Sequence, residues 1–180
     1  LSTVMIAAAG YIINDYFDLQ IDAVNKPDKM VVDKSVKRRW AIIWHLILSA
    51  VGVLMSLYIS YKTGIWVIAI ANIICVFLLW FYSTTFKKKL LSGNVIISAL
   101  TAWTIVVVYF FVGAAILNYN GWHEGNYSYD MRKLFKFTIV YAGFAFIISL
   151  VREVIKDLED MHGDAKYHCK TMPIEWGVPA

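Results

Sequence analysis

Charge is what this sequence has least of. Of its 180 residues only 17% are Asp, Glu, Lys or Arg, against 59% hydrophobic and 16% aromatic. That is far more apolar surface than a water-facing globule can bury, so a soluble domain is excluded and a bilayer is the solvent that fits. Cysteine is nearly as scarce. Cys75 lies within an apolar run and Cys169 in a polar segment, which gives no disulfide framework. Cys169 is close to His162 and His168, but a zinc site needs a second ligand pair at finger spacing, and none is present. No signal peptide is recognisable, and the chain opens at Leu1 and stops at Ala180. The expectation is a single integral-membrane domain, residues 1–180, cut at both ends. The net charge of +4 is small, and the basic residues gather in two short connectors rather than along a face, so no nucleic-acid partner is expected.

The stretches without charge define the architecture. Trp40–Tyr61, Ile65–Phe86 and Asn94–Leu117 contain no Asp, Glu, Lys or Arg. As a helix at ~1.5 Å per residue the first reaches roughly 33 Å, enough to span a hydrocarbon core. Leu134–Val151 is a further, largely apolar run. Leu1–Ile13 is too short to cross alone and reads as the second half of a spanning helix. Between these runs lie a basic connector from Ala23 to Arg39 broken at Pro27, a tight turn at Lys62-Thr63-Gly64, a second basic connector at Lys87–Lys89, and a polar loop over Asn118–Lys133. Trp80, Phe81 and Tyr82 form an interfacial belt. The expected fold is all-α, a polytopic transmembrane helical bundle. With both basic connectors cytoplasmic, simple alternation returns the last apolar run to that same face.

Two acidic clusters stand where the apolar runs end. In the stretch Asn14-Asp-Tyr-Phe-Asp-Leu-Gln-Ile-Asp22, helical geometry places Asp15, Asp18 and Asp22 at i, i+3, i+7 and Asn14, Asp18 and Asp22 at i, i+4, i+8, all on one side. Carboxylates crowded in this way repel unless a cation joins them. Asp157, Asp160 and Asp164 repeat the spacing after a second apolar run. Two matched clusters on one membrane face suggest one site with two walls, holding Mg²⁺ ions that share a polyanionic ligand, with a diphosphate the natural candidate. One competing reading, solvated helix ends balanced by nearby Lys and Arg, does not account for the matched pair. Another, an ion-coupled carrier, would place its carboxylates near mid-membrane rather than at helix ends.

These residues carry a family likeness. Asn14-Asp15-x-x-Asp18-x-x-x-Asp22 resembles the first signature of the UbiA superfamily of intramembrane prenyltransferases, and Asp157-x-x-Asp160-x-x-Gly163-Asp164 resembles its second. The likeness extends to Asn25-Lys26-Pro27, where the family usually has Asn-Arg-Pro, to Tyr82 followed by Lys87 and Lys88, to Gly93-Asn94, and to Lys170-Thr171-x-Pro173 with Gly177. The resemblance implies a nine-helix bundle, of which this chain would hold about five, with its site open to the cytoplasm and to lipid at the cell inner membrane. It implies Mg²⁺-dependent transfer of a polyprenyl group from an allylic diphosphate, geranylgeranyl diphosphate as the best guess, to a lipophilic acceptor. The runs Asn25–Lys29 and Lys156–Asp160 look most like the branch that acts on geranylgeranylglycerol phosphate. The alternative is an aromatic acceptor of quinone biosynthesis, 4-hydroxybenzoate or dihydroxynaphthoate.

On the same resemblance Asn14, Asp18, Asp22, Asp157, Asp160 and Asp164 are metal ligands, with Asp15 a ligand or a support for one. Asp18, Asp22, Asp157 and Asp160 would stabilise the leaving group, and Lys87 and Tyr82 would act at the reacting centre, Tyr82 through its ring face. Asn14, Lys26, Lys88, Arg152, Lys156 and Lys170 are the candidates for substrate contact, with Lys88 also serving as a positive-inside residue. His45, alone on an apolar helix, reads as structural.

Overall fold

In a bilayer no water is available to satisfy a free peptide group, so long apolar runs must become helices. The computed structural model describes residues 1–119 and 127–177, apart from the side chains of residues 29, 114–119 and 127–130. Its helices are α1 (Ser2–Asn25), α2 (Arg38–Thr63), α3 (Trp66–Thr84), α4 (Ser92–Tyr119), α5 (Tyr127–Lys166) and the short α6 (Met172–Trp176), with 3₁₀ turns at Pro27–Lys29 and Phe86–Lys88. Among the described residues four helical segments are long and apolar enough to cross a membrane: Arg38–Thr63, Trp66–Thr84, Ser92–Gly113 and Met131–Lys166. In α1 the second half is given over to acids.

The helices meet through small and polar residues, the inverse of a soluble core. α2 buries Ala41, His45, Ser49, Gly52, Ser56 and Ser60, spaced three or four apart along one face, while Trp44, Leu54 and Tyr58 stay exposed. Lipid tails solvate the large side chains, so close backbone approach and hydrogen bonds drive the association. A Cβ at Gly52 would stand 2.7 Å from Ile6 Cγ1 of α1. Ser2 Oγ donates to the Gly52 carbonyl at 2.7 Å, and Asn72 Nδ2 donates to Ser56 Oγ at 2.8 Å, tying α1, α2 and α3 together. His45 is structural, as expected: its Nδ1 lies 3.0 Å from the Ala9 carbonyl and its ring packs on Trp80.

Three boundaries differ from the sequence reading. The run expected to be helical to Phe86 stops at Thr84, because Thr85 leaves helical geometry (φ −129°, ψ −52°) and the Thr84 hydroxyl bonds back to the Trp80 carbonyl at 3.0 Å. The polar loop expected over Asn118–Lys133 is shorter at both ends, since α4 runs to Tyr119 and α5 starts at Tyr127; its centre, residues 120–126, lies outside the described residues. Polar side chains at a wet helix end cost the helix little, so polarity alone did not mark its start. Finally, the polar segment expected from Asp164 to Lys170 begins as helix, since α5 continues through the second acidic motif to Lys166. α5 is one helix of 40 residues, about 60 Å long, twice the hydrocarbon thickness of about 30 Å.

Chain direction alternates as the sequence implied. Gly64, left-handed at φ 74°, ends α2 and lets the chain turn back. The final turns of α1, α3 and α5 therefore meet the first turns of α2 and α4 at one end, where the Lys170 N–H donates to the Lys88 carbonyl at 2.9 Å. The arrangement predicts that, in the full-length protein, cysteines replacing Lys34 and Lys88 react with an impermeant maleimide from one side of the membrane and a cysteine replacing Lys62 from the other. Labelling of Lys34→Cys and Lys62→Cys from the same side would break the alternation.

Candidate active site

The last three turns of α1 form the first wall. Asp18 is 4% exposed; Asn14 Nδ2 donates to its Oδ2 at 2.7 Å, and Lys87 Nζ, presented by the turn at Phe86–Lys88, pairs with that same oxygen. The charge of Lys87 reaches further, acting on Asp22 and Asp164 and also on Asp15 and Asp157. Burial alone would lower its pKa, but Asp18, Asp22 and Asp164 more than offset that and hold the ammonium above the usual lysine range, so it stays charged. Both acidic motifs thus surround one cation. A Cβ at Gly93 would stand 3.0 Å from Lys87 Cα, so the small residue lets the start of α4 lie against the Lys87 turn.

α5 supplies the facing wall. Lys26 Nζ lies 2.6 Å from Asp160 Oδ1, yet that oxygen has no hydrogen-bond partner; the contact is close but badly angled, and it counts as an ion pair only. Asn94 Nδ2 donates to Asp157 Oδ2 at 2.8 Å. The two walls are joined by Asn25, whose Nδ2 donates to the Asp160 carbonyl at 2.9 Å while its Oδ1 accepts the Gly163 N–H at 2.7 Å. A Cβ at position 163 would fall 2.5 Å from both Asn25 amide atoms, which is why the motif carries glycine there.

Two cavities meet at this site. The polar one, about 190 Å³, is lined by Asn14, Asp15, Asp18 and Asp22 of α1 together with Lys26, Lys87, Lys156 and Asp160. The apolar one, about 420 Å³, runs between α1, α3 and α4 past Ile6, Gly10, Leu79, Tyr82, Leu100 and Trp103. Asn14, Asp15 and Lys156 line both. From Asp15 back to Thr3 the second cavity follows α1 for about 18 Å. At the depth of Asn72 and Trp103 the Trp103 indole N–H donates to Asn72 Oδ1 at 3.2 Å and ties α3 to α4.

Most of the residues singled out from the sequence come together here. Arg152 and Tyr82 line the apolar cavity, while Asp157 and Asp164 line neither cavity and are tied to the site by the charge of Lys87. Lys88 and Lys170 are joined to each other through their backbones, but both side chains are exposed and line neither cavity. Among the described residues no three acidic, His or Cys side chains converge closely enough to hold an ion by themselves. Sequence reasoning assigned no role to Asn25, to Asn72 or to Glu153, which is buried against the apolar cavity. For Asn25 the available signal was an amide placed between the last turn of an acidic helix and a proline.

The fold is thus a bundle of helices apolar enough to cross a membrane, in which a pocket lined by acids and lysines adjoins a long apolar cavity. The chain belongs to the UbiA prenyltransferase family, whose family model matches residues 1–180. It is 38% identical over 173 residues to the digeranylgeranylglyceryl phosphate synthase of Methanopyrus kandleri, covering 96% of this chain and 55% of the relative. To the enzyme of the same name from Methanothermobacter thermautotrophicus it is 31% identical over 170 residues, covering 94% and 52%. A solved structure concerning digeranylgeranylglyceryl phosphate synthase in membranes superposes with a TM-score of 0.60 at 28% identity, covering 96% of this chain and 53% of that one. The chain spans about half the length of the curated relatives it matches.

Gly163→Ala tests the join between the walls. The added methyl displaces Asn25 and strips two hydrogen bonds, at a cost of about 1–3 kcal/mol for the groups left unpaired. A lower Tm in detergent is expected. A variant as stable as the parent would show that Asn25 does not hold the walls together.

Proposed function

We propose that the protein transfers a geranylgeranyl group from its allylic diphosphate to the hydroxyl of geranylgeranylglycerol phosphate, forming an ether lipid. The observation that carries this reading is the continuity of the two cavities through Asn14, Asp15 and Lys156. A diphosphate fits the acid- and lysine-lined pocket, and a hydrocarbon chain fits the apolar one. The name borne by the relatives supports the choice of acceptor.

The residues present suit magnesium. Asn14 Oδ1 is buried without a hydrogen-bond donor, and carboxylates stand on both sides of the polar pocket. Mg²⁺ is ordinarily held by one or two carboxylates with substrate phosphates and water completing its shell. Asn14, Asp18 and Asp22 would hold it on α1, and Asp157, Asp160 and Asp164 on α5, with Asp15 beside them. When bound, the ion neutralises charge building on the departing diphosphate.

The chain's own cations do the rest of the binding. Lys87 keeps the pocket from being a bare cluster of negative charge, and it exchanges Asp18 for a phosphate oxygen when the donor enters. Lys26 and Lys156 reach the same head, and Arg152 guards the entrance to the apolar cavity. Tyr82, buried on that cavity's wall, offers its ring face to the allylic cation. The site faces the cytoplasm, where basic connectors are retained. Within the basic connector Lys34 donates to the Pro27 carbonyl at 2.5 Å and Arg38 pairs with Asp33 at 3.4 Å, while Lys26 lines the polar pocket and is the connector cation that can meet an anionic head there.

Alanine at Asp18, Asp22, Asp157 or Asp160 is expected to abolish magnesium-dependent diphosphate release by the full-length protein without impairing membrane insertion. Near-normal turnover of any of these at saturating magnesium would remove that residue from the metal site. The acceptor is tested by competition: geranylgeranyl diphosphate is supplied with geranylgeranylglycerol phosphate, 4-hydroxybenzoate and dihydroxynaphthoate together, and products are identified by mass. The diether phosphate is expected to dominate, and exclusive prenylation of an aromatic ring would overturn the ether-lipid reading.

A further inference from the structure

Glu153 is a buried carboxyl group that neither acidic motif accounts for. It is 5% exposed and sits on α5 one turn ahead of Asp157, so that Glu153, Asp157, Asp160 and Asp164 follow at i, i+4, i+7 and i+11 along one face. It therefore lies about 6 Å deeper along the helix than the second motif begins. Burying a carboxyl group this completely is expensive unless it has a partner or a task.

Its surroundings narrow that function. Asp18 is engaged by Asn14 and Lys87, Asp157 by Asn94, and Asp160 by Lys26. Asp15 lines both cavities and so faces the diphosphate head. Among the described residues Glu153 is the one carboxylate that lines the apolar cavity without also lining the polar pocket. The Arg152 guanidinium stands 3.5 Å from its Oε1 but is 65% exposed, a long contact to a solvated partner that leaves the carboxylate free to engage another group. Glu153 also shares its cavity wall with Tyr82 and Lys156, next to the junction where the head of an amphiphile gives way to its tail.

We propose that Glu153 is the catalytic base, the group that takes the proton of the acceptor hydroxyl; the proposal rests on the prenyl-transfer reading above. In that reaction the C1–O bond of the donor breaks and its electron pair leaves with the diphosphate. A lone pair of the acceptor hydroxyl oxygen forms the new C1–O bond. The oxygen then carries one proton too many, and an apolar cavity offers little water to receive it. Glu153 accepts that proton, becomes a neutral acid, and returns it to solvent after the ether and the diphosphate depart.

The test uses the full-length enzyme in its native lipid or in detergent. Glu153→Gln keeps the size and hydrogen-bonding capacity of the side chain but cannot take a proton. Its kcat for transfer is expected to fall by about 100-fold or more, with the Kd for the magnesium-loaded prenyl diphosphate and the Tm both unchanged. Glu153→Asp is expected to recover part of the rate. Transfer by Glu153→Gln within threefold of the parent overturns the proposal. So does a parallel loss of donor binding and turnover, which would make Glu153 part of the diphosphate site. A parent enzyme that binds donor and transfers to no acceptor would instead sink the prenyl-transfer reading, a result readily told apart from the other two.

Discussion

Repulsion between like charges gathered at one membrane face sets the terms for the whole bundle. Two carboxylates 4 Å apart at an effective dielectric near 20 cost about 4 kcal/mol, and six belong to the two motifs at this end. The chain answers with one cation at the centre. Lys87 does not come from either acidic helix; it is delivered by the 3₁₀ turn after α3, and Gly93 keeps that turn tight against α4. Lys26 and Lys156 sit at the edges of the same pocket. The connectors at this end are therefore basic for two reasons, orientation in the membrane and neutralisation of the site.

Away from that end the packing logic is different. Helices α1, α2 and α3 touch through Ser, Gly, Ala and Asn, with bonds such as Ser2 to Gly52 and Asn72 to Ser56, and bulky side chains are left for lipid. Such an interface brings backbones close on one side of α1. On the other side it leaves room for the apolar cavity. The cavity is thus a product of where small residues are spent.

Much of this was legible in the sequence because it depends on short-range rules. Helical periodicity carries the spacing of Asp15, Asp18 and Asp22 directly into a shared face, and the lack of charge in Trp40–Tyr61 marks a span without reference to anything distant. Alternation of spans then put both acidic clusters at one end. What was hidden is pairwise and long-range. Nothing local announces that the Asn25 amide fits the backbone of α5, or that Gly163 is small for that reason. Glu153, written between Arg152 and Val154, reads as part of a polar run, and only burial separates it from its neighbours. That Lys88 and Lys170 line neither cavity is equally invisible locally, since it depends on how the chain segments following α3 and α5 come together.

The Asn25 join also sets a schedule. Its two partners on α5 lie 135 and 138 residues downstream, with α2, α3 and α4 inserted in between. At about 5–20 residues per second of synthesis, the first acidic helix waits roughly 7–28 s in the membrane before its counterpart exists. A chain interrupted in that interval has only half of the acidic pocket. The two walls of the acidic pocket are therefore joined in a single step once α5 has been made, rather than growing with the chain.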